Sequence, residues 1–600
     1  MKFAVLAAVI INGAVYSYIA IMKYMAMDAS VFDLGVSSQL LYSVFHQSLA
    51  YNLMHITFNK LIYLPLSVIY LIYPHPQTVL VLQAFVVSAG AYPIFLIAKL
   101  KTGDSKAAFL IAITYLLFYP LYGPLWFDFH FMALFPTPFL FSFYFYLKGE
   151  KRKSIFFAVI ASVTDLLSPV IIGLFGLYAL LKDRRDNSEK KFNVHGTGLL
   201  IVVSSIIIFT AANIYIGPGY AVSFANNSVF SSTIAFTHTT KLYEASYFIW
   251  IMLPVLFICI LAPDLLFLII PFAALAFANS YFPYVDTMFY QYTALVAAQV
   301  FIAFIFGIER LGRRFGKHGV SVKRVAAAGL VLNIFLALLF TPAGNIVTNG
   351  FHDHNMEYDL TGNPNSYETL NAITYHAYDS GILKMSPFIT SGSSVVIQNN
   401  MPQLASGYNW LLPDFINDVK NPQFAITDPY SPAFYSTYFT LDMNYTMLNE
   451  TNRVFLPDHY GIVAEDYGEV LLEQGYLGSV KEFIPLNYSH NSTFDTVFNN
   501  TIGRNVSTID FSEGFLAPGG YRINFSGLND TLGNTVFSVS YNNFNGTVEF
   551  YSAVVHVTSS GKASLLFRVP YYMMNNHFSL KSIGNENSTV NTSLVQISPG

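Results

Sequence analysis

The stretch Thr78-Val-Leu-Val-Leu-Gln83-Ala-Phe-Val-Val-Ser88-Ala-Gly-Ala-Tyr-Pro93-Ile-Phe-Leu-Ile-Ala98 decides the fold class. It carries no charge, and Lys99-Leu100-Lys101 closes it. A helix of ~20 apolar residues crosses the hydrocarbon core of a bilayer, so this run reads as a membrane span. Working outward, similar runs lie at roughly 3–24, 107–125, 131–147, 154–165, 167–181, 198–217, 246–261, 264–281, 287–308 and 325–341. The expectation is an α-helical multi-pass membrane bundle of about 11 spans. Leu61 to Tyr73 is apolar but too short to span, and reads as an interfacial or re-entrant segment.

Composition agrees. Only 11% of the 600 residues are charged, against about 25% in a soluble domain. That excludes a disordered chain, a coiled coil and an ordinary cytosolic enzyme. A net charge of −4 offers no basic excess for a nucleic-acid backbone, so no nucleic-acid partner is expected. A lone cysteine, Cys259, excludes a disulfide framework and a cysteine-based zinc cluster.

The pattern changes at Pro342, beyond which no run approaches a bilayer's thickness. Residues 1–341 hold 22 Lys+Arg and 13 Asp+Glu, a net of +9, and residues 342–600 hold 9 and 22, a net of −13. The spans place 19 of the 22 basic residues on one side, among them Lys99, Lys101, Lys151, Lys182, Arg310 and Arg313, against Lys23, Lys60 and Lys241 on the other. The positive-inside rule then puts the N-terminus inside and the C-terminal region outside a cell (plasma) membrane. No small-residue cleavage site follows the first span, so a retained first helix is expected rather than a signal peptide.

In that orientation Asp33, Asp128 and Asp165 all lie on the outer side in apolar or aromatic settings: Val31-Phe-Asp33-Leu-Gly35, Trp126-Phe-Asp128-Phe-His130 and Val163-Thr-Asp165-Leu-Leu. Each could simply cap a helix. Three together on one face point to a shared site, because a carboxylate at a membrane is expensive and is kept for a partner or a function. His55 and His130 join this set. Two His and two or three Asp could hold a divalent metal, though no tight His-x-x-x-His spacing supports one. The other roles are phosphate contact and general acid/base work.

The chain resembles a multi-pass membrane family labelled domain of unknown function 2079, akin to the GT-C glycosyltransferases. The resemblance runs along most of residues 28–480. It is carried by Ser30-Val-Phe-Asp33-Leu-Gly35, Met54-His55, Pro74 with Thr78–Gln83, Ala91-Tyr-Pro93, Tyr119-Pro120 and Phe127-Asp128-Phe129-His130, and in the outer region by Ser394–Ser406 and Tyr460–Leu472. It implies a membrane enzyme that moves a sugar from a polyprenyl-phosphate donor to an acceptor on the outer face. Asp33 would be the base, His55 and His130 would contact phosphate, and Asp128 and Asp165 would orient the acceptor or a histidine. The chain departs from the family pattern in two places. Val163-Thr164-Asp165 stands where Lys-Glu-Asp is expected, and Gln291-Tyr292 stands where His-Tyr would contact substrate. These departures keep a second reading open, a non-catalytic membrane-anchored surface protein or inactive relative. A transporter fits less well, because the spans hold few mid-membrane charges and show no repeat.

Residues 342–484 mix helical and strand patterns, including Ser394–Gln398, Phe424–Thr427 and Gly461–Leu472, and read as an extracytoplasmic α/β module. From 485 to 600, strand-like runs such as Tyr521–Phe525, Val536–Tyr541, Val548–Val557 and Ala563–Val569 suggest a β-sandwich, with Tyr571 and Tyr572 as candidate sugar contacts. Eleven Asn-x-Ser/Thr sites, from Asn444 to Asn591, allow N-glycans on the outer part of the chain beyond Pro342.

Overall fold

A computed structural model describes residues 1–46, 61–186, 196–216, 241–279, 282–315, 321–348, 373, 375, 377–397, 400–411, 423–427, 460–466, 469–479 and 481–483, and the strands between 496 and 599 given below. His55, Tyr571 and Tyr572 lie outside the described residues.

Within these residues the chain forms two compact units. The first holds Met1–Tyr24 and the described residues between Asp33 and Ile373; the second holds Met25–Phe32 and the described residues from Tyr375 onward.

The first unit is helical. Four of its described helices are long and apolar enough to cross a membrane: Lys2–Met25, Pro76–Thr102, Gln291–Phe315 and Val322–Phe340. A fifth crossing follows if Ser105–Leu116 and Tyr119–Trp126, bent by 50° at the break between them, are one span. Eleven spans are read from the sequence, so the structure carries only part of that count. The other apolar runs form shorter helices, among them Phe131–Leu147, Thr197–Ala212, Glu244–Val255 and Pro263–Ala278. The run 246–261 shows why. Pro254 lacks an amide proton, and Leu256 and Phe257 both take positive φ near 55°, which L-residues adopt only at a cost and which ends a helix. Hydropathy counts apolar side chains and is blind to that break. The Leu61–Tyr73 stretch holds only the eight-residue helix Tyr63–Tyr70.

Gln291–Phe315 is the central helix of the unit, with 83% of its apolar window buried, against 39% for Lys2–Met25 and 28% for Val322–Phe340. One close approach fixes its start. A Cβ added to Gly123 would collide with the Tyr290 carbonyl oxygen and lie 3.1 Å from that of Met288, so only glycine lets the helix Tyr122–Trp126 meet this turn. Gly123→Ala is expected to lower stability by about 1–3 kcal/mol, as overpacking against backbone does. A thermal melt of the purified variant checks it; an unchanged midpoint would mean that the turn yields freely.

The second unit is built around sheets. Strands β1 (Ser394–Val396), β2 (Asn409–Leu411), β3 (Phe424–Thr427), β4 (Tyr460–Asp466), β5 (Glu469–Gln474) and β6 (Lys481–Glu482) form one sheet of order β2-β1-β3-β5-β4-β6. β1 runs parallel to β2 and β3, while β5 is antiparallel to β3 and β4. Val395, Ile397, Phe424, Ile426 and Leu471 bury together with Met27, Val31, Ile382 and Met385. The eight remaining strands are β7 (Thr496–Ile502), β8 (Ser507–Phe515), β9 (Gly519–Ser526), β10 (Thr535–Asn543), β11 (Gly546–Val555), β12 (Lys562–Val569), β13 (His577–Ile583) and β14 (Ser588–Pro599). They pair into two four-stranded antiparallel sheets, β11-β10-β13-β8 and β12-β9-β14-β7. Tyr521–Phe525, Val536–Tyr541 and Ala563–Val569 fall within β9, β10 and β12, and Val548–Val555 within β11.

Candidate functional site

The site is organised by Gln83, in the second turn of the helix that starts at Pro76. Its side chain is buried, 2% exposed. Its Nε2 donates to the carbonyls of Pro124 at 2.7 Å, Asp128 at 3.3 Å and Phe127 at 3.4 Å. Its Oε1 accepts the backbone N–H of His130 at 2.9 Å. One amide thus satisfies the irregular backbone between Trp126 and Phe131, which no helix or strand pairs. The segment stays fixed at the end of a span, and its side chains are held in place.

His130 is the first of these. Its Nε2 lies 3.1 Å from Asp33 Oδ1, with both side chains 14% exposed. Asp33 comes from the single π-helical turn Val31–Gly35, a wider turn than the α-helix that continues from Val36. Nδ1 of His130 lies 3.3 Å from the Asp128 carbonyl oxygen. Both ring nitrogens therefore face oxygen atoms.

The Asp128 carboxylate faces elsewhere. Its Oδ1 lies 3.2 Å from Lys23 Nζ, and the two side chains are 4% and 6% exposed. The ammonium sits 5.3 Å from the Trp126 ring centroid and 5.7 Å from that of Phe127. The Phe127 ring in turn lies 5.5 Å from His130 and 5.2 Å from Tyr290. Two acid–base pairs, Asp33–His130 and Asp128–Lys23, therefore flank one aromatic side chain.

Asp286 Oδ1 accepts the backbone N–H groups of Met288 at 2.8 Å and Phe289 at 2.6 Å, which shapes the turn that presents Tyr290. Gln291, 4% exposed, follows in the one-turn helix Gln291–Thr293, which packs on Tyr122–Trp126 and on Phe131–Leu134. Its Oε1 is buried without a hydrogen-bond partner among the described residues. Tyr292 sets its ring edge-on to Tyr284 at 4.6 Å.

Of the residues named from the sequence, the structure brings Asp33 and His130 into contact and places Asp128 beside them on a different partner. Asp165 Oδ1 accepts the N–H of Leu167 at 2.9 Å and so shapes the turn before the helix that starts at Ser168. Among the described residues, no three His, Cys, Asp or Glu side chains converge as a metal site would need. Sequence reasoning missed Lys23 and Gln83 as members of the site. Lys23 carried a signal, since it is one of three basic residues on the acidic side, but a lysine at a span end normally reads as a snorkelling anchor. Gln83 was one polar residue in an apolar run, with nothing in the sequence to show what it would meet.

Replacing Gln83 by Leu keeps the volume but strands the His130 N–H and three carbonyls. A loss of about 1–3 kcal/mol is expected for burying unsatisfied groups, with the His130 imidazole resonances broadened or shifted in NMR. Unchanged imidazole signals would show that the loop holds its geometry without the amide.

A helical unit with several membrane-length helices, and a buried Lys–Asp pair beside an Asp–His pair, defines a polytopic membrane protein with a polar site built into one end of its bundle. The family described as "Predicted membrane protein (DUF2079)" matches residues 23–409, and the chain belongs to it. No curated protein matches the chain. Among solved structures it is similar to ArnT from Cupriavidus metallidurans in the apo state, at 12% identity and a TM-score of 0.41 over 78% of this chain and 98% of that one. It is also similar to the arabinofuranosyltransferase AftD from Mycobacteria, at 10% identity and a TM-score of 0.35 over 98% of this chain and 61% of that one.

Proposed function

We propose that the chain is a GT-C-like membrane glycosyltransferase that moves a sugar from a polyprenyl-phosphate donor to an acceptor at the outer membrane face. The N-terminus lies inside, the shorter apolar helices complete about eleven spans, and residues 342–484 and 485–600 form outer α/β and β-sandwich domains. The observation that carries the reading is the Asp33–His130 contact, held by Gln83 at one end of the bundle. Asp33 Oδ1 is engaged by the ring, which leaves Oδ2 to take the acceptor's proton. The acceptor oxygen then bonds to the anomeric carbon as the bond from that carbon to the phosphate oxygen breaks. The electron pair leaves with the polyprenyl phosphate. General-base help of this kind is worth about 10²–10⁴ in rate. In this reading His130 contacts the departing phosphate beside Asp33, Gln291 and Tyr292 contact substrate, and the Lys23–Asp128 pair holds the loop in place.

The test is transfer in proteoliposomes supplied with polyprenyl-phosphate sugars and read as loss of labelled donor. Turnover of any donor supports the reading. A folded protein that neither binds nor turns over any donor overturns it and leaves the membrane-anchored surface protein, which Val163-Thr164 and the Lys23-neutralised Asp128 already favour.

A further inference from the structure

We propose a second site, at the Thr102 end of the helical unit, that binds the phosphate of an anionic lipid headgroup through Lys101 and Lys182 over the ring of Phe306. The 18 residues of helix between Gln83 and Lys101 rise roughly 27 Å, so this site is separate from the one above. It stands whether or not the transferase reading holds.

Three helices end here, Pro76–Thr102 with Lys101, Pro136–Leu147 with Tyr146 and Ser168–Asp186 with Lys182, against Phe306 in the middle of Ala294–Phe315. Lys101 Nζ lies 4.4 Å from the Phe306 ring centroid and Lys182 Nζ 5.8 Å from it. Lys182 Nζ is also 5.7 Å from the Tyr178 ring and 5.9 Å from that of Tyr146. Both lysines are half-buried. Two ammonium groups thus converge on one aromatic side chain, where each is attracted by ring faces yet repelled by the other.

The nearby acids are already engaged. Asp264 holds Arg310 at 2.7 Å, Glu309 reaches Arg313 at 3.7 Å, and Asp183 accepts the Tyr146 hydroxyl at 3.1 Å. The charges that face Lys101 are Lys182, Arg313 and Arg310 of like sign, and Glu309 opposed. Among the described residues, neither Lys101 nor Lys182 has a carboxylate within 4.0 Å. Carbonyls at the helix ends attract cations in general, but they do not require two lysines to share one ring.

A phosphate supplies the missing negative charge and enough oxygens for both ammonium groups. The flanking residues select a lipid over a soluble phosphate. Leu100 and Leu181, the chain neighbours of the two lysines, are 45% and 55% exposed, an apolar surface suited to acyl chains. Basic pockets between helix ends are where anionic headgroups bind.

The experiment uses the full chain in nanodiscs of phosphatidylcholine with a minor share of phosphatidylglycerol, and counts retained lipids by native mass spectrometry. Lys101→Gln and Lys182→Gln are each expected to weaken phosphatidylglycerol retention about fivefold, the size of one basic side chain's contribution at an anionic surface. Lys153→Gln, at a position 62% exposed, should leave retention unchanged. Melting curves establish that each variant is folded, and the two single variants are read separately. Unchanged retention in both lysine variants overturns the proposal. So does displacement of the lipid by millimolar inorganic phosphate, which would assign the site to a soluble anion.

Discussion

Asp33→Asn is expected to lower the sugar-transfer rate by about 10²–10⁴ while donor retention stays within a few fold. Asparagine keeps the shape of the side chain and can still accept a hydrogen bond from His130 Nε2, now 3.1 Å from Asp33 Oδ1. It cannot take a proton from an attacking hydroxyl. The loss should therefore fall on the chemical step. His130→Ala removes the group that fixes the carboxylate but leaves the carboxylate itself, so its loss should be smaller, on the order of tenfold for an orientation defect. Initial rates and donor binding for the two variants in proteoliposomes separate these roles. A wild-type rate for Asp33→Asn would remove Asp33 from the base role, and a larger loss in His130→Ala than in Asp33→Asn would move the proton transfer to the imidazole.

Lys23→Met is expected to cost about 3–5 kcal/mol of stability, because it leaves the 4%-exposed Asp128 carboxylate buried without its cation. The same side chain also loses its contacts with the Trp126 and Phe127 rings. Breaking one half of a buried ion pair is far worse than removing both. The double variant Lys23→Met with Asp128→Asn should accordingly recover most of the loss. Thermal or denaturant unfolding in detergent measures both. If the single variant melts like the wild type, water reaches the pair and it does not hold the loop. If the double variant is as unstable as the single one, the packing of the lysine stem is what matters rather than its charge.

These two expectations rest on very different amounts of sequence information. Asp33 and His130 were legible as candidates because a carboxylate and an imidazole stand out in Phe-Asp-Leu-Gly and Phe-Asp-Phe-His, where nearly every neighbour is apolar. That they touch was not legible, since 97 residues separate them. In the sequence Lys23 counts only as one charge that sets orientation, and Gln83 only as the end of the stretch Thr78–Gln83. Asp165 looked equivalent to Asp33 in its sequence setting, yet its carboxylate turns back on its own backbone at Leu167. Local chemistry is the same at both positions, and only the packing around each tells them apart.

The sequence by itself determined that this chain belongs with membrane proteins. Hydrophobic run length and charge density are sums over neighbouring residues, and a bilayer imposes its thickness on any helix that crosses it. It also pointed to four of the eight strands between 496 and 599, because alternation and turn residues act over a few positions. The tertiary structure decided which runs stay unbroken for a full crossing. There the Pro254 break and the positive φ at Leu256 and Phe257 cut a run that hydropathy reads as continuous. It also decided which acid meets which base. Partners such as Lys23 and Asp128, 105 residues apart, are chosen by where the helices dock, and each buried charge must then settle with whatever counter-charge that docking brings within reach.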